Sequence, residues 1–394
     1  MVRPRGCHLP VIVAGLLLAG GCSARVTAKK PPPATPVAAA VPVPPLRPVA
    51  PAAPEPVQRP WPFRRIYDID CVDVRAIAER YNLRASWVTS GRVMQLTDSR
   101  GLVRLRFQSR DHDFLLDGTR VFMGETTVFS EGGLYVSKID VTKAIVPLLK
   151  PAECASQLPA PPRVIVLDAG HGGTDPGTRN LAMHLDEKNL TLDVVLRLKK
   201  LLEARGYHVI LTRSDDTKLA PAQRADLEQR DEVANRAKAD LFLSVHFNSA
   251  PAAVTGTETY VMTPQFQIST GEGKDSTFDK AFPGNRQDFA NIVLGYHLHR
   301  SLLSGLNFPD RGCKRGRKLV LCFPECPAAL VEAAYLSNNA EASQLGTPLF
   351  RQRVALALAD GIDEYSAVLA AVHPPAAVPP EPHPAVITPA QQKR

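Results

Sequence analysis

The sequence lacks a comfortable membrane span: its N-terminal apolar run, Leu9 to Ala19, is too short and has the size of a signal-peptide core. It lacks a GxGxxG, and no Lys-Ser or Lys-Thr pair opens the helix after its glycine-rich loop, which argues against phosphate binding there. No recognition helix, aromatic-and-basic strand pattern or zinc finger is visible, so no nucleic-acid partner is expected. Cysteine is sparse, seven in 394 residues. With Cys7 lost in the signal and Cys22 near its end, five remain, an odd number for an oxidising compartment. Cys71 and Cys154 flank the first folded segment and could staple it. Cys322 and Cys326 form a CxxxC with no second pair at zinc-finger spacing, which favours a disulfide or buried thiols.

Proline is present in excess and unevenly placed. Twenty of 36 fall between Pro31 and Pro62 or between Pro374 and Pro389, in Pro/Ala-rich stretches that cannot bury a core. The chain divides on this reading into a signal peptide (1–21), a linker (22–62), a small accessory α+β domain (63–155), a larger domain (163–370) and a Pro-rich tail (371–394). Arg3 and Arg5 precede the apolar run, and LLLAGGCSA resembles a bacterial lipoprotein signal with Cys22 as the lipidated residue. The expected location is therefore outside the cytoplasm, periplasmic or in the cell envelope, with the membrane a partner through an N-terminal lipid. A formal net charge of +8 suits work among anionic polymers.

In the accessory segment, Val74, Ile77, Ala78 and Tyr81 share a helical face, and short alternating runs follow up to a helix around VTKAIVPLL. These strands and the terminal apolar helix resemble the accessory domain first described at the N-terminus of copper amine oxidases, which recurs in exported bacterial wall proteins; wall binding or positioning is one reading, a plain spacer domain the other. From Arg163 onward, strands and helices alternate: VIVLD, a helix over about 188–205, HVILT, a helix across AQRADLEQRDEVANRAKA, LFLSVHF, GTETYVM, a long polar loop, a helix over FANIVLGYHLHRSLL, strands near KLVLCF and AALVEAAYL, and a last helix from Leu349. The pattern predicts an α/β fold with a mostly parallel sheet and helices on both faces.

The most informative stretch is VIVLDAGHGGTDPGT, where a β-branched run breaks into glycines around His171. A buried strand ending in a Gly-rich loop delivers a polar side chain to a sheet edge, where sites form. A second strand-like run, LFLSVHFNS, carries His246, and Glu187 opens the helix between. Two imidazoles and a carboxylate are a ligand set for a catalytic zinc with one position left to water. Taken singly, each has a structural alternative: His171 a satisfied loop histidine, Glu187 a favourable charge at a helix N-terminus, His246 a core histidine.

DAGHGGTDPGT, DEKN, LTR, SVHFNSA, GTETYV, RGCK and ALVEAAYLSN fall in the order found in the zinc-dependent N-acetylmuramoyl-L-alanine amidases of the third amidase class, and residues 163–365 resemble that family. The resemblance implies one Zn²⁺ per catalytic domain held by His171, Glu187 and His246, with Glu332 as catalytic glutamate. It implies peptidoglycan as substrate, cut between N-acetylmuramic acid and L-alanine for wall remodelling or daughter-cell separation. Asn248 and Asn338 occupy motif positions that either bind substrate or brace loops, and Arg213 and Arg224 are expected to form structural ion pairs. Two other readings stay open here: a zinc peptidase acting within the stem peptide, and a non-catalytic wall-binding protein. The family usually has Gly-Phe where this chain has Ala334 and Tyr335. Some relatives carry a helix that plugs the site until a protein activator removes it. Here residues 263–286 are polar, which points to a loop and to activity without an activator.

Overall fold

The computed structural model describes residues 60–374 apart from Asp275, so the signal peptide, Cys22, nearly all of the linker and all but the first residues of the tail lie outside the described residues. The first segment holds β1 (Arg64–Ile66), β2 (Ile69–Asp73), α1 (Val74–Arg80), β3 (Arg84–Thr89), β4 (Val93–Thr97), β5 (Val103–Gln108), β6 (Asp113–Leu116), β7 (Thr119–Phe122), β8 (Val128–Ser130) and β9 (Gly133–Ser137). α2 (Lys138–Asp140), a π turn and α3 (Val146–Leu149) close it. The second segment runs through β10 (Val164–Ala169), β11 (Arg179–Asn180), β12 (Leu185–Asp186), α4 (Glu187–Ala204), β13 (His208–Leu211), α5 (Gln223–Arg236), β14 (Leu241–Asn248) and β15 (Thr257–Val261). It ends with α6 (Asp288–Leu306), β16 (Asp310–Arg315), α7 (Leu319–Cys322), β17 (Ala328–Tyr335), α8 (Asn339–Leu345) and α9 (Pro348–Val372).

Alternation of side chains along a strand, two residues per repeat, explains how the sheet serves two cores. Ile165, Leu167 and Ala169 of β10, with Leu241, Leu243 and Val245 of β14, join the cluster that contains Leu190, Val194, Val195 and Leu198 of α4 and the apolar face of α9. Val166 and Phe242 point the other way and pack with Ala234 of α5 and Leu321 and Cys322 of α7. Each fully buried Leu or Val contributes about 1.5–3 kcal/mol relative to exposure, which is why such runs become central strands. β13, β10, β14 and β17 are parallel, β15 is antiparallel to β17, and β16 is parallel to β15. The result is the expected mostly parallel sheet with helices on both faces.

Two features differ from the sequence reading. KLVLCF is not a strand: Leu319–Cys322 form the short helix α7, and the strand before it is β16, which carries the RGCK motif. Cys71 and Cys154 do not staple the first segment: all five described cysteines are free and buried, which for Cys322 and Cys326 is the buried-thiol alternative.

The first segment's strands continue the same sheet, in the order β13-β10-β14-β17-β15-β16-β7-β6-β5-β4-β3. Cys313 of β16 pairs with Val121 of β7, the Arg120 amide donates to Asp310 (2.9 Å), and Lys143 bonds Asp288 (2.7 Å). One apolar cluster runs through both segments, from Val72 and Phe107 to Leu358. Apart from Asp275, residues 263–282 form a loop that leads into a 3-10 turn over Pro283–Gln287. The loop is tied back to the first segment by Gln267, whose side-chain amide donates to Asp140 (2.6 Å), and to β16 by Thr270, whose amide donates to the Arg315 carbonyl. Among the described residues no helix is long and apolar enough to cross a membrane.

Candidate metal centre and neighbouring carboxylates

β10 and β14 end side by side, and their even-numbered residues share a face, so Asp168, Ser244 and His246 point to the α5 side. His171 lies just past β10 with φ of 62°, a left-handed conformation uncommon outside glycine. Its backbone is held by buried arginines. Arg230 of α5 donates to the His171 carbonyl (2.8 Å), to Ala169 and to Asp168, and it also pairs with Asp226. Arg213 donates to the carbonyls of Ala169, Gly170 and Lys188. Against expectation, Arg213 makes no ion pair among the described residues; its guanidinium binds carbonyl oxygens. Arg224 does pair, with Glu228 on the surface.

Glu187, at the first position of α4, is 2 % exposed and lies between the two histidines. One oxygen is 3.1 Å from His171 Nε2 and the other 3.0 Å from His246 Nδ1. The Thr178 and Phe247 amides donate to the same carboxylate at 2.8 and 3.0 Å. Burial pushes this carboxyl up, but the bonds and charges of the two imidazoles outweigh it and hold the group ionised, well below the usual range. Asp175 lies 3.0 Å from His171 Nδ1 and orients that ring.

The donor atoms of His171, Glu187 and His246 all lie within 4.8 Å of one another. Two imidazole nitrogens and a carboxylate oxygen are donors that zinc accepts. The glycines around them are explained by crowding: a Cβ at Gly170 would come within 2.3 Å of the His246 ring, and one at Gly177 within 2.6 Å of both Glu187 and His171. These glycines make room for ligand side chains.

Glu332 follows His246 across the ladder, as its register partner on β17. Its Oε2 is buried without a hydrogen-bond partner. Burial, with Glu187 and Glu258 nearby, pushes its carboxyl well above the usual range. On the other side of β17, Glu332 is in register with Glu258 of β15. Glu258 accepts from Arg311 (2.8 Å), Lys314 (2.8 Å), Tyr260 (2.8 Å), Asn248 (3.2 Å) and the Tyr335 hydroxyl. Burial would raise it, but these cations and hydroxyls lower it to about 2.

The structure thus brings His171, Glu187, His246 and Glu332 to one edge. Asn248 is directed to Glu258, and Asn338 caps α8 by accepting from the Ala340 and Glu341 amides. The sequence reading missed the roles of Asp175, Arg230 and Glu258. Asp175 stands in the quoted glycine motif and Glu258 in GTETYV, so both were visible as motif members; Arg230 had no signal beyond its spacing of four from Asp226.

A mostly parallel sheet whose edge gathers two imidazoles, an ionised carboxylate and a second carboxylate held ready for a proton belongs to the class of hydrolases. Residues 165–364 match the family described as N-acetylmuramoyl-L-alanine amidase, and the chain belongs to that family. It is 33 % identical over 215 residues to the uncharacterized protein YqiI of Bacillus subtilis (strain 168), covering 54 % of this chain and 90 % of that relative. It is 30 % identical over 217 residues to the germination-specific N-acetylmuramoyl-L-alanine amidase of the same organism, covering 53 % and 81 %. The solved catalytic domain of CwlV, an N-acetylmuramoyl-L-alanine amidase from Bacillus (Paenibacillus) polymyxa var. colistinus, is 34 % identical, with a TM-score of 0.43 over 52 % of this chain and 99 % of that one. The protein is a hydrolase of amide bonds that acts on peptidoglycan in cell-wall remodelling, with an extracellular or envelope location.

Proposed function

We propose that His171, Glu187 and His246 hold one zinc ion and that Glu332 moves the proton in hydrolysis of the amide between the lactyl group of N-acetylmuramic acid and L-alanine. The observation that carries this reading is the close nitrogen–oxygen–nitrogen set beside a buried carboxylate oxygen with no partner of its own. A zinc ion held by these three residues would supply Lewis acidity, polarising an amide carbonyl and lowering the pKa of water. Glu332, with its raised affinity for protons, accepts one from the attacking water and delivers it to the departing alanine nitrogen. Glu187 stays ionised through its imidazole and amide bonds, Asp175 fixes the His171 ring, and Arg213 and Arg230 hold the loop carbonyls beneath it. Export through residues 1–21, with Cys22 as the lipid attachment, is supported by the sequence pattern, and the polar stretch over 263–286, with no α-helix among its described residues, supports activity without a protein activator.

The test combines metal analysis with product identification. The intact protein is expected to carry one zinc per chain and to release a stem peptide beginning at L-alanine from defined muropeptides, with both lost on chelation. His246→Ala should lower the zinc content at least tenfold, while Glu332→Ala keeps the metal and loses turnover. Full zinc in His246→Ala, or cleavage within the stem, overturns the reading.

A further inference from the structure

The stretch Arg311–Lys318, RGCKRGRK, holds five cations beside the candidate site. Four are consumed by the fold. Arg311 and Lys314 pair with Glu258, Arg315 donates to the Phe122 carbonyl, and Arg317 donates to the carbonyls of Gln267 and Pro264. Lys318 is exposed and makes no ion pair among the described residues. Its ammonium lies 5.0 Å from the centre of the Tyr260 ring. Its stem is folded beside Gly316: a Cβ there would lie 3.6 Å from Lys318 Cγ and Cε and 3.2 Å from the Tyr260 ring. The lysine thus lies near the aromatic ring, where a cation is favoured. Tyr260 is in register with Leu330, two residues from Glu332 on β17, and the Lys318 charge reaches the Glu332 carboxyl.

We propose that Lys318 is a specificity-determining residue that receives a carboxylate on the peptide side of the substrate. The inference rests on the reading of Glu332 as the proton-transferring group. The sides of the scissile amide differ in charge: the lactyl carboxyl of the muramic residue is consumed in the amide itself, whereas the stem peptide carries free carboxylates. The nearest belongs to the second stem residue, a γ-linked glutamate whose α-carboxylate is either free or amidated. Glu258 makes no ion pair with Lys318, and its single negative charge is already matched by two closer cations, Arg311 and Lys314. A carboxylate arriving beside Glu332 therefore meets a cation with no ion-pair partner among the described residues, placed beside Tyr260.

The experiment compares two muropeptides that differ only in carboxylate or carboxamide at that glutamate, using the full-length protein, Lys318→Met and Lys318→Arg. The wild type is expected to favour the carboxylate about fivefold in kcat/KM, as a partly exposed ion pair gives, with the difference in KM and kcat unchanged. Lys318→Met should lose the preference, Lys318→Arg should keep most of it, and raised salt should weaken it. The proposal is overturned if Lys318→Met keeps the wild-type ratio or if the wild type shows none. Failure of the wild type to cleave either substrate between muramic acid and L-alanine would instead overturn the underlying site reading, and this proposal with it.

Discussion

Glu258 on β15 and Glu332 on β17 face each other in register, and their surroundings are opposite. Around Glu258 the chain gathers two cations, two hydroxyls and an amide, and the carboxyl is lowered to about 2. Around Glu332 it leaves a buried oxygen without a partner, and the carboxyl rises. The same residue type on adjacent strands is thus made a permanent anion in one region and a proton acceptor in the other. The first arrangement supports the fold; the second costs stability and supplies chemistry.

The sharpest break of this contrast is Glu332→Gln. It keeps shape and removes the titrating group, so activity should fall by about three orders of magnitude, within the range of a lost general base. Because the folded-state carboxyl is raised, ionisation of Glu332 is costly at neutral pH, and stability is lost as pH rises above its ordinary range toward the folded value. Metal-stripped Glu332→Gln should therefore melt above the metal-stripped wild type. A lower melting temperature would mean that Glu332 is satisfied in the fold.

Glu258→Gln tests the opposite member. It leaves Arg311 and Lys314 without their carboxylate, at a cost of about 2–3 kcal/mol once the half-exposed Arg311 is discounted. The sign of the pH effect is opposite to that of Glu332. With the folded value at about 2 and the ordinary value at 4.5, the Glu258 contribution is fully present above pH 4.5 and is lost as pH falls toward 2. That loss is on the order of 3 kcal/mol. Acid unfolding curves should show it in the wild type and lack it in the variant; identical curves would remove Glu258 from the account.

The contrast also shows what a sequence discloses. His171, Glu187, His246 and Glu332 were legible because apolar strand runs ending in polar residues announce a sheet edge, and because the motifs stand in one order. Glu258 stood in a quoted motif with no role, since the two cations that pair with it and the Tyr335 hydroxyl come from 53 to 77 positions away and are brought beside it only by the ladder. Arg230 was missed for the same reason: its pairing with Asp168 spans 62 residues, and an arginine in a charged helix reads as solvent-facing. KLVLCF misled because a five-residue apolar run fits strand and helix alike. The join between β16 and β7 left no local trace at all, because a strand edge that pairs with a distant segment looks like any other strand.

Tyr335→Phe is the mildest perturbation and the most discriminating between these regions. The family resemblance places Phe at this position, and here the added hydroxyl is spent on Glu258 rather than on Glu332. Removing it leaves Glu258 four donors, so the cost should be about 1 kcal/mol, the net value of one hydrogen bond. The Glu258 carboxyl should rise, so the acid-induced loss of stability begins at a higher pH than in the wild type but below that of an unassisted glutamate. Turnover should stay within about twofold, because the interaction lost is not one made only in the transition state. A large fall in kcat at unchanged melting temperature would show instead that the hydroxyl acts on the reaction, and the division between a carboxylate for folding and a carboxylate for chemistry would have to be redrawn at Tyr335.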